Sequence, residues 1–355
     1  MKEKILALVK EKKGLSGVQL SKVLGISRQA VNKHLKPLLQ NGSLIKTGVT
    51  RGSVYEIATS GKKPPKTFRK SFFLDGLEED KVFQQISLAM NLARVISPKA
   101  NDIARYAFTE MLNNAIDHSQ SEKCHVEVIV DEFNFQFRIR DYGVGIFFSI
   151  YDKYNLPDEN SAVGELIKGK TTTMREKHTG EGIFFTSKVA DEMFFRSHKV
   201  KLLFDNHKKD IFIEEKKNIR GTEVFFNVRK RTRKKLENIF SIFAPEEFDY
   251  KFEKTRAMVK LFQREYISRS EARRLHHGLD KFKVIVLDFK GVNTIGQGFA
   301  DELFRVFMHN YPEITLEIVH LKPSLQTIIN HVVDNKINSR FLYSRFLCSR
   351  FLNSR

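Results

Sequence analysis

The chain has almost no cysteine: Cys124 and Cys348 are the only two in 355 residues. Two thiols so placed build neither a metal site nor a disulfide framework, and both read as bystanders. Long apolar runs are missing as well. No stretch of about 18 apolar residues occurs, so no membrane-spanning helix is expected. Met1-Lys-Glu-Lys-Ile leads into a charged amphipathic helix rather than a signal peptide, and a cytoplasmic protein is the expectation. Acidic residues are in short supply. Against 61 Lys and Arg stand 42 Asp and Glu, a net charge of +19, and such an excess calls for an acidic partner.

What is present is unevenly spread. At 355 residues there is room for two or three domains. Residues 1–70 hold 16 Lys or Arg against 3 acids, which makes nucleic acid the natural partner of this end. The region reads as a helix over 2–13, a helix over 18–24, a turn at Gly25-Ile-Ser27, a helix over 28–40 and a two-stranded wing over 43–58 with its turn at Thr50-Arg51-Gly52. This pattern resembles the winged helix-turn-helix domain of bacterial regulators, with Leu20, Val23, Leu24, Ile26, Val31 and Leu35 as the packing set. The resemblance implies DNA binding. Ser27, Arg28, Gln29, Asn32 and Lys33 would face the major groove, and Arg51 of the wing would reach phosphate or minor groove. Arg28 and Gln29 suit base edges, Lys33 a phosphate. A winged helix that mediates protein contacts is the competing reading, and the basic excess favours DNA over it.

Four short motifs follow in order: Glu110-Met-Leu-Asn-Asn114-Ala-Ile-Asp117-His118, Asp141-Tyr-Gly143-Val-Gly145, Thr179-Gly180-Glu-Gly182-Ile, and Gly221-Thr222. Glu110, Asn114 and Asp117 stand at i, i+4 and i+7, one polar face of a helix over 101–118. An amide oxygen at Asn114 can ligate Mg2+. Glu110, one turn earlier, can orient or deprotonate a water or hydroxyl. The alternation from Phe133 to Arg140 reads as a strand ending on Asp141, an acceptor-only carboxylate suited to an amino-group donor such as the exocyclic amine of adenine. Gly143 and Gly145 let backbone approach a flat base. Gly180 and Gly182, ahead of a helical stretch over 183–192, can present N–H groups to phosphates.

These motifs resemble the GHKL ATP-binding fold of DNA gyrase, heat-shock chaperones, mismatch-repair ATPases, histidine kinases and anti-sigma-factor kinases, over residues 75–229. The resemblance implies a Bergerat α/β sandwich with ATP and Mg2+ as cofactors. Asn114 would hold the metal, Glu110 would be the catalytic base, Asp141 would bind adenine, Gly180 and Gly182 would touch phosphates, and Thr222 would reach the base through water. Asp117, Gly143 and Gly145 complete the pocket. His118 matches the histidine of kinase-type members, and equally serves as a helix-terminal cation. Residues 147–179 would form a mobile lid, from which Lys170, Thr171 and Thr172 reach phosphate. Gly164-Glu-Leu-Ile-Lys-Gly169-Lys170-Thr171 also satisfies the P-loop pattern. It follows a polar, proline-broken segment instead of a buried strand, and the lid reading is preferred.

Residues 61–74, with Pro64 and Pro65, read as an extended linker, and 230–245 as a basic one. Over 246–335, strands at 248–252, 257–262, 284–288 and 314–319 alternate with helices beginning at Arg269, running through 299–304 and covering 323–333. This unit resembles a STAS-like domain of unknown function, which implies a protein partner. The resemblance implies a phosphorylatable Ser after the central strand, as in STAS antagonists; here the turn is Ile295-Gly296-Gln297-Gly298, without a hydroxyl, and Thr294 is the nearest substitute. The tail over 336–355 repeats Ser-Arg-Phe-Leu every five residues, fits no helix or strand period, and is expected to be disordered.

The expected whole is an α+β multidomain protein: a winged helix over 1–60, a GHKL sandwich over 75–229 and a small STAS-like α/β domain over 246–335. Its expected function is that of an ATP- and Mg2+-dependent DNA-binding regulator acting as a homodimer. A Ser/Thr protein kinase of anti-sigma-factor type or slow ATPase, and a nucleotide-sensing scaffold that sequesters a protein partner, are the alternatives.

Overall fold

A computed structural model describes residues 1–40, 42–47, 53–58, 65–171, 180–261, 266–333 and 341–344. They form a mixed α/β architecture with three sheets and three hydrophobic cores.

The N-terminal unit runs α1 (Lys2–Glu11), β1 (Leu15–Ser16), α2 (Gly17–Leu24), α3 (Arg28–Gln40), β2 (Leu44–Thr47) and β3 (Val54–Ile57), with the strands ordered β1-β3-β2. A capping box starts α2: Ser16 Oγ accepts from the Gln19 N–H, and Gln19 Oε1 accepts from the Ser16 N–H at 2.8 Å. Gly25, left-handed at φ 66°, ends it. Ile5, Val9, Leu20, Val31, Leu35, Leu38, Leu44 and Tyr55 fill the core, with Leu24 and Ile26 packed at its edge. Val23 departs from the expected packing set. It is 58% exposed, because Leu20 already takes the inward face of this short helix.

The middle unit is a seven-stranded antiparallel sheet ordered β4-β5-β6-β10-β7-β8-β9. Its elements are β4 (Lys66–Phe73), α4 (Glu79–Met90), α5 (Leu92–Val95), α6 (Pro98–His118), β5 (Lys123–Val130), β6 (Asn134–Asp141), α7 (Ile146–Lys153), α8 (Glu159–Lys168), α9 (Gly182–Val189), β7 (Glu192–Ser197), β8 (Val200–Asp205), β9 (Asp210–Glu215) and β10 (Thr222–Arg229). Ser97 caps α6 and Pro98 occupies its first position, where no N–H is needed. Phe135, Phe137 and Ile139 of β6 share one core with Ala107, Phe108, Met111 and Leu112 of α6. The alternate residues form the outer face, where Phe194 and Phe225 stack at 5.1 Å and Arg138 lies over both rings.

Three sequence expectations change here. Residues 66–73, inside the expected linker, are the edge strand β4; the pairing with β5 makes it a strand, although only Phe72 of its eight side chains is buried. Most of the expected lid is packed helix, since Phe147 and Ile150 of α7 and Ala162, Val163, Leu166 and Ile167 of α8 join the core, while 172–179 lie outside the described residues. Gly164 to Lys168 belong to α8, so their amides are not arranged as a phosphate-binding loop and the P-loop reading falls.

The C-terminal unit begins after α10 (Leu236–Phe243), a helix within the expected basic linker. Its parallel sheet, ordered β11-β12-β13-β14, comprises β11 (Lys254–Met258), β12 (Val284–Asp288), β13 (Thr315–Val319) and β14 (Phe341–Ser344). Between them run α11 (Arg269–His276), α12 (Gln297–Ala300) continuing through a π-helical turn into α13 (Phe307–Asn310), and α14 (Pro323–Val332). No strand forms at 248–252: Glu246–Phe248 is a 3-10 turn, and buried Phe252 serves as a core plug. The strand expected at 257–262 lies earlier, as β11. Part of the tail is ordered against expectation, Phe341 pairing with Leu316 and packing in the core. The rest of it, with Cys348, lies outside the described residues, whereas Cys124 is buried. Among the described residues no helix is long and apolar enough to cross a membrane.

Candidate functional site

The four motifs meet at one cavity of about 430 Å³, lined from α6, the ends of β6 and β10, the start of α7, Leu166 and Thr171, the start of α9, Phe195 and Phe240. Glu110, Asn114, Asp141, Gly145, Thr171, Gly180, Gly182 and Thr222 all line it.

Asp141 defines one end. It is 4% exposed, and its Oδ1 accepts from the N–H groups of Gly143 and Thr222, both at 3.0 Å. Its Oδ2 takes no hydrogen bond among the described residues. Burial raises the carboxyl above the ordinary Asp range, against the pull of the two N–H groups and Arg140. The turn that follows is held in place by backbone: the Val144 N–H donates to the Ser119 carbonyl at 2.8 Å, and the Ile146 N–H to Thr222 Oγ1 at 2.9 Å.

The other end is built on α6. Tyr106, Glu110 and Asn114 follow at i, i+4 and i+8, one stripe facing Glu181, Gly182 and Thr171. A Cβ at Gly182 would overlap the Glu110 carboxylate, so any other residue here would push that side chain out of its present position. Asn114 Nδ2 is buried without a hydrogen-bond partner among the described residues, a costly arrangement unless a ligand completes it. Burial, with the carboxylates of Glu110 and Glu181 nearby, pushes the Tyr106 phenol up, so it remains a neutral donor. Its ring meets that of Phe240 edge-on at 5.5 Å. Among the described residues that line it there is no Lys or Arg; the acidic ones are Glu110, Asp141 and Glu181, and His118 is the one histidine.

Three expected nucleotide residues stand elsewhere. Gly143 lies behind Asp141 and acts through its N–H. Asp117, on the same helix as Asn114, does not line the cavity. Lys170 turns away to Glu253 Oε2 and the Lys281 carbonyl of the C-terminal unit, at 3.2 and 2.9 Å. Thr172 lies outside the described residues. Sequence reasoning missed Tyr106, Glu181, Phe185 and Phe240. Tyr106 was legible as the i−4 neighbour of Glu110 and Glu181 as the residue between two assigned glycines, but nothing local marks Phe240.

On the N-terminal unit, Ser27, Arg28, Gln29, Asn32 and Lys33 are all exposed at one side of α3. Ser27 Oγ accepts from the Ala30 N–H at 3.2 Å, so this side chain caps the helix. Lys36, also exposed and one turn beyond Asn32, extends the face and was not singled out. Arg51 lies outside the described residues.

Comparison with known families agrees at both ends of the chain. Residues 1–42 match the winged helix-turn-helix DNA-binding family, and residues 271–326 match a STAS-like domain of unknown function. No curated protein matches the chain. The cavity-bearing sheet therefore stands between a region similar to winged helix-turn-helix domains and one similar to STAS-like domains.

Proposed function

We propose that the chain is a DNA-binding regulator in which a GHKL-type ATP pocket controls the winged helix. The meeting of four sequence-distant motifs on one cavity carries this reading. Adenine suits the Asp141 end, where Oδ2 is an open acceptor for an exocyclic amine and Thr222 and Gly145 line the same wall. Phosphates suit the other end, where Gly180, Gly182 and the unpartnered Nδ2 of Asn114 supply donors beside the start of α9.

The donor set fits a hard divalent cation as well. Among the described residues no Lys or Arg lines the cavity, and Mg2+ held through Asn114 Oδ1 would bring positive charge beside Glu110 and Glu181 and polarise the phosphoryl oxygens. Glu110, packed against Gly182, would orient or deprotonate an attacking water. That placement favours slow hydrolysis. Transfer to the attached STAS-like domain is disfavoured, because Gly296 and Gln297 at the start of α12 offer no hydroxyl. DNA recognition rests on the exposed side of α3, and ATP would alter it by binding one presentation of the winged helix more tightly than another.

Calorimetric titration with Mg-ATP tests the pocket. Asn114→Ala is expected to lose measurable binding, and Glu110→Ala to bind but release no phosphate. A wild-type protein that gives no binding rejects the pocket, and turnover retained in Glu110→Ala removes its role as base. DNA selection with and without ATP tests the switch. Arg28→Ala should relax sequence preference, while Lys33→Ala should weaken all sites and lower the salt slope by about 0.9. Identical DNA selection in both nucleotide states rejects control by ATP.

A further inference from the structure

One wall of the cavity is held by a domain that contributes no lining residue among those described. Helix α8 ends at Lys168, whose side chain is 1% exposed. Its ammonium donates to Glu165 Oε1 at 2.7 Å, to the His277 carbonyl at 2.7 Å and to the Arg274 carbonyl at 3.4 Å. Those carbonyls belong to the C-terminal end of α11, where a cation is favoured by the helix dipole. Glu165 is itself bonded by His277 Nδ1 at 3.2 Å. From β11, Thr255 Oγ1 donates to the Lys168 carbonyl at 2.5 Å.

The next residues continue the clasp. A Cβ at Gly169 would stand 2.7 Å from the Phe252 ring, so the two units meet there without a gap. Lys170 is tied to Glu253 and the Lys281 carbonyl and lies 4.9 Å over the Phe282 ring. Thr171 then leaves the interface and enters the cavity wall, its Oγ1 donating to the Glu165 carbonyl at 2.9 Å and its backbone pressed against Gly180. From the other side Phe185, which also lines the cavity, packs on Phe252 at 5.1 Å. Among the described residues the last that lines the cavity is Phe240, and none belongs to the STAS-like domain.

We propose that the STAS-like domain is a working part of the nucleotide site: through its hold on Lys168, Gly169 and Lys170 it positions Thr171 and the Gly180 to Gly182 turn for the phosphates. The inference rests on the nucleotide reading above. Thr255 and Glu253 act as positioning residues, remote from any ligand. By linkage, a bound triphosphate tightens the contact between the two units by the same factor that the contact tightens the triphosphate.

The test compares ATP with adenosine, because only ATP uses the phosphate end. In Thr255→Val/Glu253→Gln, Mg-ATP affinity is expected to fall about tenfold, roughly the loss of one or two hydrogen bonds, while adenosine affinity stays at the wild-type value. Glu253→Gln alone, which removes one charge at the domain surface, should give the same pattern at smaller size and guards against a double variant that fails to fold. ATP affinity within twofold of wild type in both variants overturns the inference, and so does an equal loss for adenosine, which would mark general loosening. A wild-type protein that binds neither ligand removes the nucleotide reading and this inference with it; one that binds both alike retains the pocket and overturns the inference alone.

Discussion

Of the strands that end in a buried aspartate, β6 and β12 bury theirs most deeply, and the two are finished differently. Asp141 closes β6 and Asp288 closes β12, at 4% and 1% exposure. Asp288 is saturated by its own chain: Arg256 donates to Oδ2 at 2.7 Å, while the Lys290 N–H and His320 Nδ1 meet Oδ1 at 2.9 and 2.7 Å. Burial works to raise its carboxyl, but Arg256 and the other partners pull it below the ordinary range. Asp141 has two N–H groups on one oxygen and no cation in hydrogen-bonding contact, and burial leaves its carboxyl raised. A filled carboxylate belongs to the fold. One with an open oxygen on a cavity can still accept a hydrogen bond from outside the chain.

The largest effect that could break this contrast is on binding. Asp141→Asn turns the open acceptor into a donor and should weaken ATP about a hundredfold by titration calorimetry, on the scale of a buried hydrogen bond replaced by a mismatch. Asp288→Asn should leave ATP affinity within about twofold, since additivity holds for separate sites. An Asp141→Asn protein that still binds ATP normally would remove the distinction. Next in size is stability. Asp288→Asn should cost about 2 kcal/mol in denaturant unfolding, because Arg256 loses its charged partner but is itself partly exposed and able to hydrate.

The smallest effect, and the sharpest, is the sign of the pH dependence. The depressed pKa of Asp288 gives stability that is present above the unfolded value near about 3.9 and is lost as pH falls through the folded value. The raised pKa of Asp141 gives the opposite: its contribution is present below about 3.9 and is lost as pH rises through the folded value. Without ligand at pH 7, Asp141→Asn should therefore be more stable than wild type, with the gap closing as pH falls through the folded value toward the unfolded one. The deficit of Asp288→Asn should instead shrink only below about pH 4. Parallel pH curves for the two variants would contradict the contrast.

Much of this was legible in the chain itself. Glu110 and Asn114 on one face follow from helical spacing and α6 carries both to the cavity, whereas Asp117, expected with them, does not line it and Tyr106, one turn earlier, does. The winged-helix elements were readable because helical periodicity and the Gly25 turn agree on where α2 ends and α3 begins. Lys170 was misread for a physical reason. A lysine that follows a glycine suits a phosphate equally well whether its segment is a loop or the end of a helix, and only the approach of Glu253 and Lys281 decides the matter. Strands β4 and β14 were missed because each depends on a distant partner, β5 or β13, more than on its own pattern.

The sequence by itself determined the local chemistry: which residues can accept, donate or carry charge, how they recur along a helix or strand, and where glycine permits a turn. It thereby set the basic winged helix, the alternating strands of the central sheet and the identity of the cavity's polar groups. Tertiary structure alone decided which of those groups meet. It placed Asp141 with one oxygen open and Asp288 with both filled, brought Phe240 to the cavity, and carried Lys168 and Lys170 into the grip of the STAS-like domain. The reason is that hydrogen-bond saturation and burial depend on neighbours far apart in the chain, which no local period encodes.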